Sequence, residues 1–250
     1  MSKKTVTIYK SQSKEVYVDG KKIVKLFDET FPKANILNEA LNQARVEETD
    51  LNVPKIEEVK KIGGKWAIVM DYIDGKTVAQ LMQENPERED EYLDIMVDLQ
   101  TEMHSKRVPL LPHLKDKMRT KINQTEYSDT VKYDLLTRVE SMPKHVKLCH
   151  GDFNPANIIL NPEGKYYLID WSHATQGNAS CDVARTYLIF CLEGRQDLAE
   201  AYLAKFCAKT GTEKIYVQRL LPVVAASQSV KGKPEYKALL AKWVDVVEYE

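Results

Sequence analysis

The segment "LCHGDFNPANIILNPEGKYYLIDW", Leu148 to Trp171, places one histidine, two aspartates and three asparagines beside two short apolar runs. Carboxylate and amide oxygens are hard ligands. They suit Mg2+, which keeps its remaining positions for water and phosphate. A loop carboxylate near such an ion can accept or orient the proton of a substrate hydroxyl. Asp152 is the candidate for the proton, and Asn157 and Asp170 are the candidates for the metal. Each residue alone would fit a surface hairpin with an Asx-rich turn. The combination is harder to dismiss: a glycine before the aspartate, a five-residue gap, a hairpin and a terminal aspartate.

Positioning these groups requires particular elements. Asn161-Pro162-Glu163-Gly164 is turn chemistry between two strands. A four-residue loop there pairs Leu160 with Lys165 and Asn157 with Leu168. Asp170 then becomes a diagonal neighbour of Asn157 on the same face, about 7–8 Å away at Cα. A one-residue slip would turn one of the two to the opposite face. Pro155 opposes a helix between Asp152 and Asn157, so "GDFNPAN" reads as a loop.

The first third of the chain reads as β-rich. "TVTIYK" from Thr5, "EVYV" and "IVKLF" are strand-like, and Asp19-Gly20 signals a tight hairpin. "ETFPKANILNEALNQARVEETD" reads as a helix, with Pro32 in its first turn and a stripe of Ile36, Leu37, Leu41 and Ala44. Two further strands meet at Gly63-Gly64. After Gly75 the pattern turns helical, beginning with Tyr92, Met96, Leu99 and Met103 on one face. From Cys181 onward four helices are expected, within "DVARTYLIFCLEG", "QDLAEAYLAKFCAKTG", "KIYVQRLLPVVAASQ" and "PEYKALLAKWVDVVEYE". The break near Asp74-Gly75 divides the chain into residues 1–73 and 74–250. Lobe junctions are common ligand sites. On β-strand spacing, Lys25 shares a face with Ile23 and Phe27, where an ammonium needs a partner.

"HGDFNPANIIL…LIDW" resembles the catalytic core of the aminoglycoside phosphotransferase and choline kinase family, whose pattern is H-G-D-x-x-x-x-N followed by a strand–turn–strand ending in Asp. The resemblance implies an α+β, protein-kinase-like two-lobe fold. Its N-terminal lobe is an antiparallel sheet with one helix that binds nucleotide. Its C-terminal lobe is mainly helical, with a small catalytic hairpin, and carries catalysis and the substrate. The implied activity is transfer of the γ-phosphate of ATP, with GTP as the alternative, to a hydroxyl of a small molecule, with Mg2+. Asp152 becomes the catalytic carboxylate, and Asn157 and Asp170 the Mg2+ ligands. Lys25 contacts the nucleotide phosphates and Glu39 pairs with it. Asp71, Tyr72 and Ile73 form the hinge that meets the base between the lobes. Asp182 braces the catalytic loop, a role compatible with capping the N-terminus of the following helix. His150 and His104 support the structure rather than the chemistry. The turn that should cover the phosphates, "YKSQSKEV", has no glycine, leaving Ser11 and Ser13 as its donors.

The acceptor is open among amino alcohols, aminoglycosides and sugars. A cationic one would want Glu193, Trp171, Trp243 or the tail acids Asp245, Glu248 and Glu250. A regulatory nucleotide-binding module without turnover is the competing reading, and the Gly-free turn favours it. Protein-kinase activity is disfavoured by His-Gly-Asp and by the lack of a recognisable activation segment.

With 36 basic and 37 acidic residues, the chain lacks the basic excess of a nucleic-acid binder. No apolar run reaches the roughly 18 residues of a membrane span, and "MSKKTVTIYK" lacks a signal-peptide core. Cys149, Cys181, Cys191 and Cys207 have no metal spacing and read as reduced thiols. A cytoplasmic protein without membrane or nucleic-acid partners is expected.

Overall fold

The structure is a computed structural model that describes residues 6–230 and 234–244. In chain order it begins with strands β1 (Val6–Lys10), β2 (Lys14–Asp19) and β3 (Lys22–Phe27), then helix α1 (Lys33–Glu47), β4 (Ile56–Ile62), β5 (Lys65–Asp71), β6 (Lys76–Thr77) and α2 (Val78–Glu84). Helices α3 (Glu89–Ser105), α4 (Leu114–Asn123) and α5 (Asp129–Ser141) follow, then β7 (Lys147–Cys149), β8 (Ile158–Leu160), β9 (Tyr166–Leu168) and β10 (Thr175–Gly177). The chain continues through α6 (Ala179–Leu192), α7 (Gln196–Thr210), α8 (Lys214–Gln218), α9 (Leu221–Ser229) and α10 (Pro234–Val244). Thr5 and the acidic tail of Asp245, Glu248 and Glu250 lie outside the described residues.

Two compact units organise the chain. The first runs through Glu84 and also takes Pro155–His173; the second holds Asn85–Asn154 and the chain from Ala174. The β8–β9 hairpin therefore packs with the N-terminal sheet.

In the first unit, β1-β2-β3-β5-β4 form one sheet of antiparallel pairs. Alternation along β3 sends Val24 and Leu26 to one face, where they meet Ala67 and Val69. Phe27 goes to the other, against Ile68, Met70 and α1. Helix α1 buries Ile36, Ala40 and Gln43, spaced four and three apart, with Gln43 Nε2 donating to Pro54 O at 2.6 Å. The expected apolar stripe is corrected here: Leu37 and Leu41 are 42% and 46% exposed, and Ala44 is exposed too. The buried side of α1 satisfies polar groups as well as apolar ones, so hydrophobicity alone misplaces its face.

Gly75 carries φ +144°, and a Cβ there would lie 2.2 Å from Leu160 O. This close approach lets β6 add to the hairpin, Lys76 opposite Leu160 and Thr77 opposite Ile159. The glycine expected to mark a break is the point where chain meets hairpin.

In the second unit α3, α6, α7 and α9 bury Met96, Leu188, Tyr202 and Val223, each at most 3% exposed. Every residue of α9 is buried, the apolar run Leu221 to Ala226 and the polar Ser227, Gln228 and Ser229 alike. The single helix expected over "KIYVQRLLPVVAASQ" is two, α8 and α9, with Pro222 in the first turn of the second.

Candidate functional site

The hairpin register differs from expectation by one residue. Ile158 pairs with Leu168, Ile159 with Tyr167 and Leu160 with Tyr166. Asn161 then pairs with Lys165 through an N–H donated to its carbonyl at 3.0 Å, so the loop proper is Pro162-Glu163-Gly164. Gly164 takes the left-handed conformation, φ 79°, that a three-residue hairpin loop requires. Asn161 Oδ1 closes the turn by accepting from Glu163 N–H and Lys165 N–H.

The loop that carries Asn157 ends in a 3-10 turn, Pro155–Asn157. Asn157 O accepts the N–H of Ile169, so Asp170 is the residue just past that pairing. There the chain turns sharply: Asp170 has φ 62°, the one described non-glycine residue with positive φ. Such backbone costs of order 1–3 kcal/mol and persists where the surroundings require it. Trp171 follows, 1% exposed, its indole N–H donating to Leu168 O at 3.0 Å. It is a core residue of the hairpin, which removes it from the candidate cation-binding groups.

The turn aims the Asp170 carboxylate at Lys25. Lys25 Nζ donates to Asp170 Oδ1 at 3.1 Å and to Glu39 Oε1 at 2.9 Å. Ile36 and Ala40 seat α1 on the sheet, which presents Glu39 to the lysine. Burial works against the charge of Lys25, but Asp170 and Glu39 outweigh it and raise its pKa. Burial likewise opposes the charge of Asp170, and Lys25, then Lys14, hold its carboxyl well below the usual range. Lys25 and Asp170 each favour the charged form of the other.

An anionic carboxylate at Asp170 and the amide of Asn157 supply hard oxygen donors of the kind Mg2+ takes. The residues present therefore fit that ion. Among the described residues no group of three or more His, Cys, Asp or Glu side chains could hold a metal by itself. Mg2+ does not require one, since substrate phosphates and water complete its shell.

In the second unit, Asp152 is half-buried and its Oδ1 accepts from Arg185 Nη2 at 2.7 Å. Its N–H donates to His150 Nδ1 at 3.2 Å, and its carbonyl accepts from Asn154 Nδ2 at 2.9 Å. His150 is fully buried under this loop. Asp182 accepts from the N–H groups of His150, at 3.1 Å, and Gly151, at 2.7 Å, and faces His104 Nε2 at 3.2 Å. Burial opposes its charge, yet His104, His150 and Gly151 N–H hold its pKa down. The N-cap of α6 is Asn178, whose Oδ1 accepts from Ser180 N–H, so Asp182 is not spent on the helix end.

Arg185 was not anticipated. Its signal was present: it stands three residues after Asp182, one turn along the same face of α6. Asp152 and Arg185 line a cavity of about 250 Å³ together with Ile189, Glu193, Gln228 and Leu240. Gln228 is 8% exposed, and its side-chain Nε2 has no hydrogen-bond partner among the described residues. Trp243 packs edge-on against Tyr187, with ring centroids 5.9 Å apart.

Two other expected groups are more constrained than foreseen. Asp71 N–H donates to Lys55 O and Tyr72 N–H to Lys21 O, so both hinge donors are engaged. Ile73 makes no hydrogen bond among the described residues. In the turn between β1 and β2, Ser11 Oγ accepts from the N–H groups of Ser13 and Lys14, and Ser11 N–H donates to Lys14 O. The turn engages the N–H groups of Ser11, Ser13 and Lys14 within itself. Cys149, Cys181, Cys191 and Cys207 are free.

A family profile described as phosphotransferase enzyme family matches residues 11–216. No curated protein matches the chain. Among solved structures, an aminoglycoside phosphotransferase APH(4)-Ia variant in ternary complex with AMP-PNP and hygromycin B superposes with TM-score 0.70 at 15% identity, covering 96% of this chain and 90% of that one. ADP-bound aminoglycoside phosphotransferase APH(2'')-Ib gives 0.64 at 14% identity, over 97% and 92%. A choline kinase from Streptococcus pneumoniae gives 0.65 at 16% identity, over 96% and 92%. These likenesses show the α+β, protein-kinase-like fold, and the profile match over most of the chain shows that it belongs to the phosphotransferase enzyme family.

Proposed function

We propose that this protein transfers the γ-phosphoryl group of ATP to a hydroxyl of a small molecule, with Mg2+. One observation carries the reading most: Lys25 is bonded at once to Glu39 and to Asp170, which stands 145 positions away. A buried ammonium shared by a helix carboxylate and a hairpin carboxylate is poor economy for stability alone. It is what a nucleotide-phosphate contact needs.

In this reading Lys25 contacts the α- and β-phosphates, and Glu39 orients it. Asn157 and Asp170 would hold Mg2+, which when bound neutralises charge on the phosphate oxygens. Ile73 offers its unbonded backbone groups to the nucleotide base. Asp152 accepts the proton of the acceptor hydroxyl as its oxygen bonds to phosphorus and ADP leaves. Arg185 holds one Asp152 oxygen, and Asp182 holds the backbone on which Asp152 sits. Residues 1–73 then serve the nucleotide and residues 74–250 catalysis and the acceptor.

The cavity beside Asp152 supports a compact acceptor. Its volume of about 250 Å³ is below the roughly 300–1,000 Å³ of drug-sized sites. Glu193 and Gln228 bring polar groups to it, which suits an amino alcohol or a small sugar better than a multi-ring aminoglycoside. The free cysteines accord with a cytoplasmic setting. No described helix is long and apolar enough to cross a membrane.

The internally bonded Ser11 turn favours a second reading, a nucleotide-binding module without turnover. Release of ADP from Mg-ATP, followed over a panel of amino alcohols and sugars, separates the two. The kinase reading expects acceptor-dependent ADP release that disappears in Asp152→Asn; Mg-ATP binding with no turnover on any acceptor would favour the module.

A further inference from the structure

The turn that should cover the phosphates has no glycine and uses its own backbone donors. We infer that Lys14 takes over that task, as a second cation for the nucleotide's β- and γ-phosphates beside Lys25. This rests on the nucleotide-binding part of the proposed function.

Register carries the argument. Lys14 pairs with Phe27 and Val16 with Lys25 across the antiparallel β2–β3 ladder. Partners in such a ladder share a face, and residues two apart on one strand share it as well. Lys14 and Lys25 are therefore diagonal neighbours on one side of the sheet, about 7–8 Å apart at Cα. That is the side on which Lys25 meets Glu39 and Asp170. Glu15 belongs to the opposite face, where it pairs with Lys10 at 3.4 Å and accepts from Thr7 Oγ1. Lys14 is half-buried, and its ammonium makes no hydrogen bond or ion pair among the described residues.

Charge bears on the role of a second side-chain cation. Lys25 contributes one positive charge, whereas Glu39 and Asp170, both bonded to it, contribute two negative ones. Without Lys14 these side chains sum to one negative charge before any Mg2+ is bound. With Lys14 the sum is zero, and the free ammonium is the group able to turn to the ligand. A glycine-rich loop supplies backbone N–H groups for this purpose. Here Ser13 N–H and Lys14 N–H already donate to Ser11 Oγ.

The test is titration of the full chain with Mg-ATP, Mg-ADP and adenosine, for wild type, Lys14→Gln and Lys14→Arg. The expected result is that Lys14→Gln weakens Mg-ATP roughly tenfold, the scale of one lost charge-assisted contact. Adenosine should change less than about twofold, and Lys14→Arg should restore most of the loss. Unchanged Mg-ATP affinity in Lys14→Gln overturns the inference, as does equal weakening of adenosine, which would mark a structural role. Wild type that binds no nucleotide overturns both this inference and the kinase reading. Wild type that binds Mg-ATP in a Lys14-dependent way, yet phosphorylates no acceptor, removes the kinase reading and leaves the inference standing.

Discussion

Asp182 shows how one buried side chain can hold a loop backbone in place. Its two oxygens take the N–H groups of His150 and Gly151, and His104 faces it from α3. Asp182, His150 and His104 are buried and Gly151 is half-buried; an unpaired buried donor costs about 1–3 kcal/mol. Asp182→Ala should therefore destabilise the protein by about 3 kcal/mol in urea denaturation, and lower turnover by loosening Asp152. The same group carries a pH dependence. Its folded pKa lies below its unfolded value, so its stabilisation is present above about pH 4 and is lost as pH falls toward the folded pKa. Stability measured between about pH 6 and 3 should fall, and the fall should be shallower in Asp182→Asn. Asp152, Asn157, Asp170 and Lys25 were all legible as candidates from residue type and spacing. Arg185 was not singled out: its contact with Asp152 joins residues 33 apart, and its place three residues after Asp182 on α6 was the local signal.

At the scale of elements, the hairpin and α1 show where periodicity stops being informative. Turn chemistry located the hairpin, but four loop residues or three were equally compatible with Asn-Pro-Glu-Gly. The choice came from Gly164 in the left-handed region and from Asn161 bonding across the loop. The shift of one moved Asn157 opposite Ile169, and the positive φ of Asp170 then directed its carboxylate to Lys25. On α1 the leucines looked like the core face and are not. Ile36→Ala should cost about 2–4 kcal/mol, whereas Leu37→Ser should stay within about 0.5 kcal/mol; chemical denaturation distinguishes them. Gly75 gives a third expectation. An alanine Cβ would meet Leu160 O at 2.2 Å in a backbone that L-residues rarely adopt. Gly75→Ala should cost about 2–4 kcal/mol and lower activity by disturbing β6 against the hairpin. A variant as stable as wild type would show that this approach is not required.

At the scale of the whole molecule, the order of a β-rich first third and a helical remainder was readable from the change in hydrophobic period, and the family profile covers most of it. The compact units do not follow sequence order: Pro155–His173 leaves the helical part of the chain to pack with the sheet. Contact between distant segments decides that grouping, which is why a boundary drawn along the sequence near Gly75 does not describe it. The same exchange brings Asp170 to Lys25. The central claim is that this assembly moves a phosphoryl group. The most direct measurement is acceptor-dependent ADP release from Mg-ATP, in parallel with Mg-ATP binding, for wild type and Asp152→Asn. The account predicts turnover lowered by at least about 100-fold with ATP affinity within about threefold of wild type. Turnover in Asp152→Asn close to wild type would contradict it.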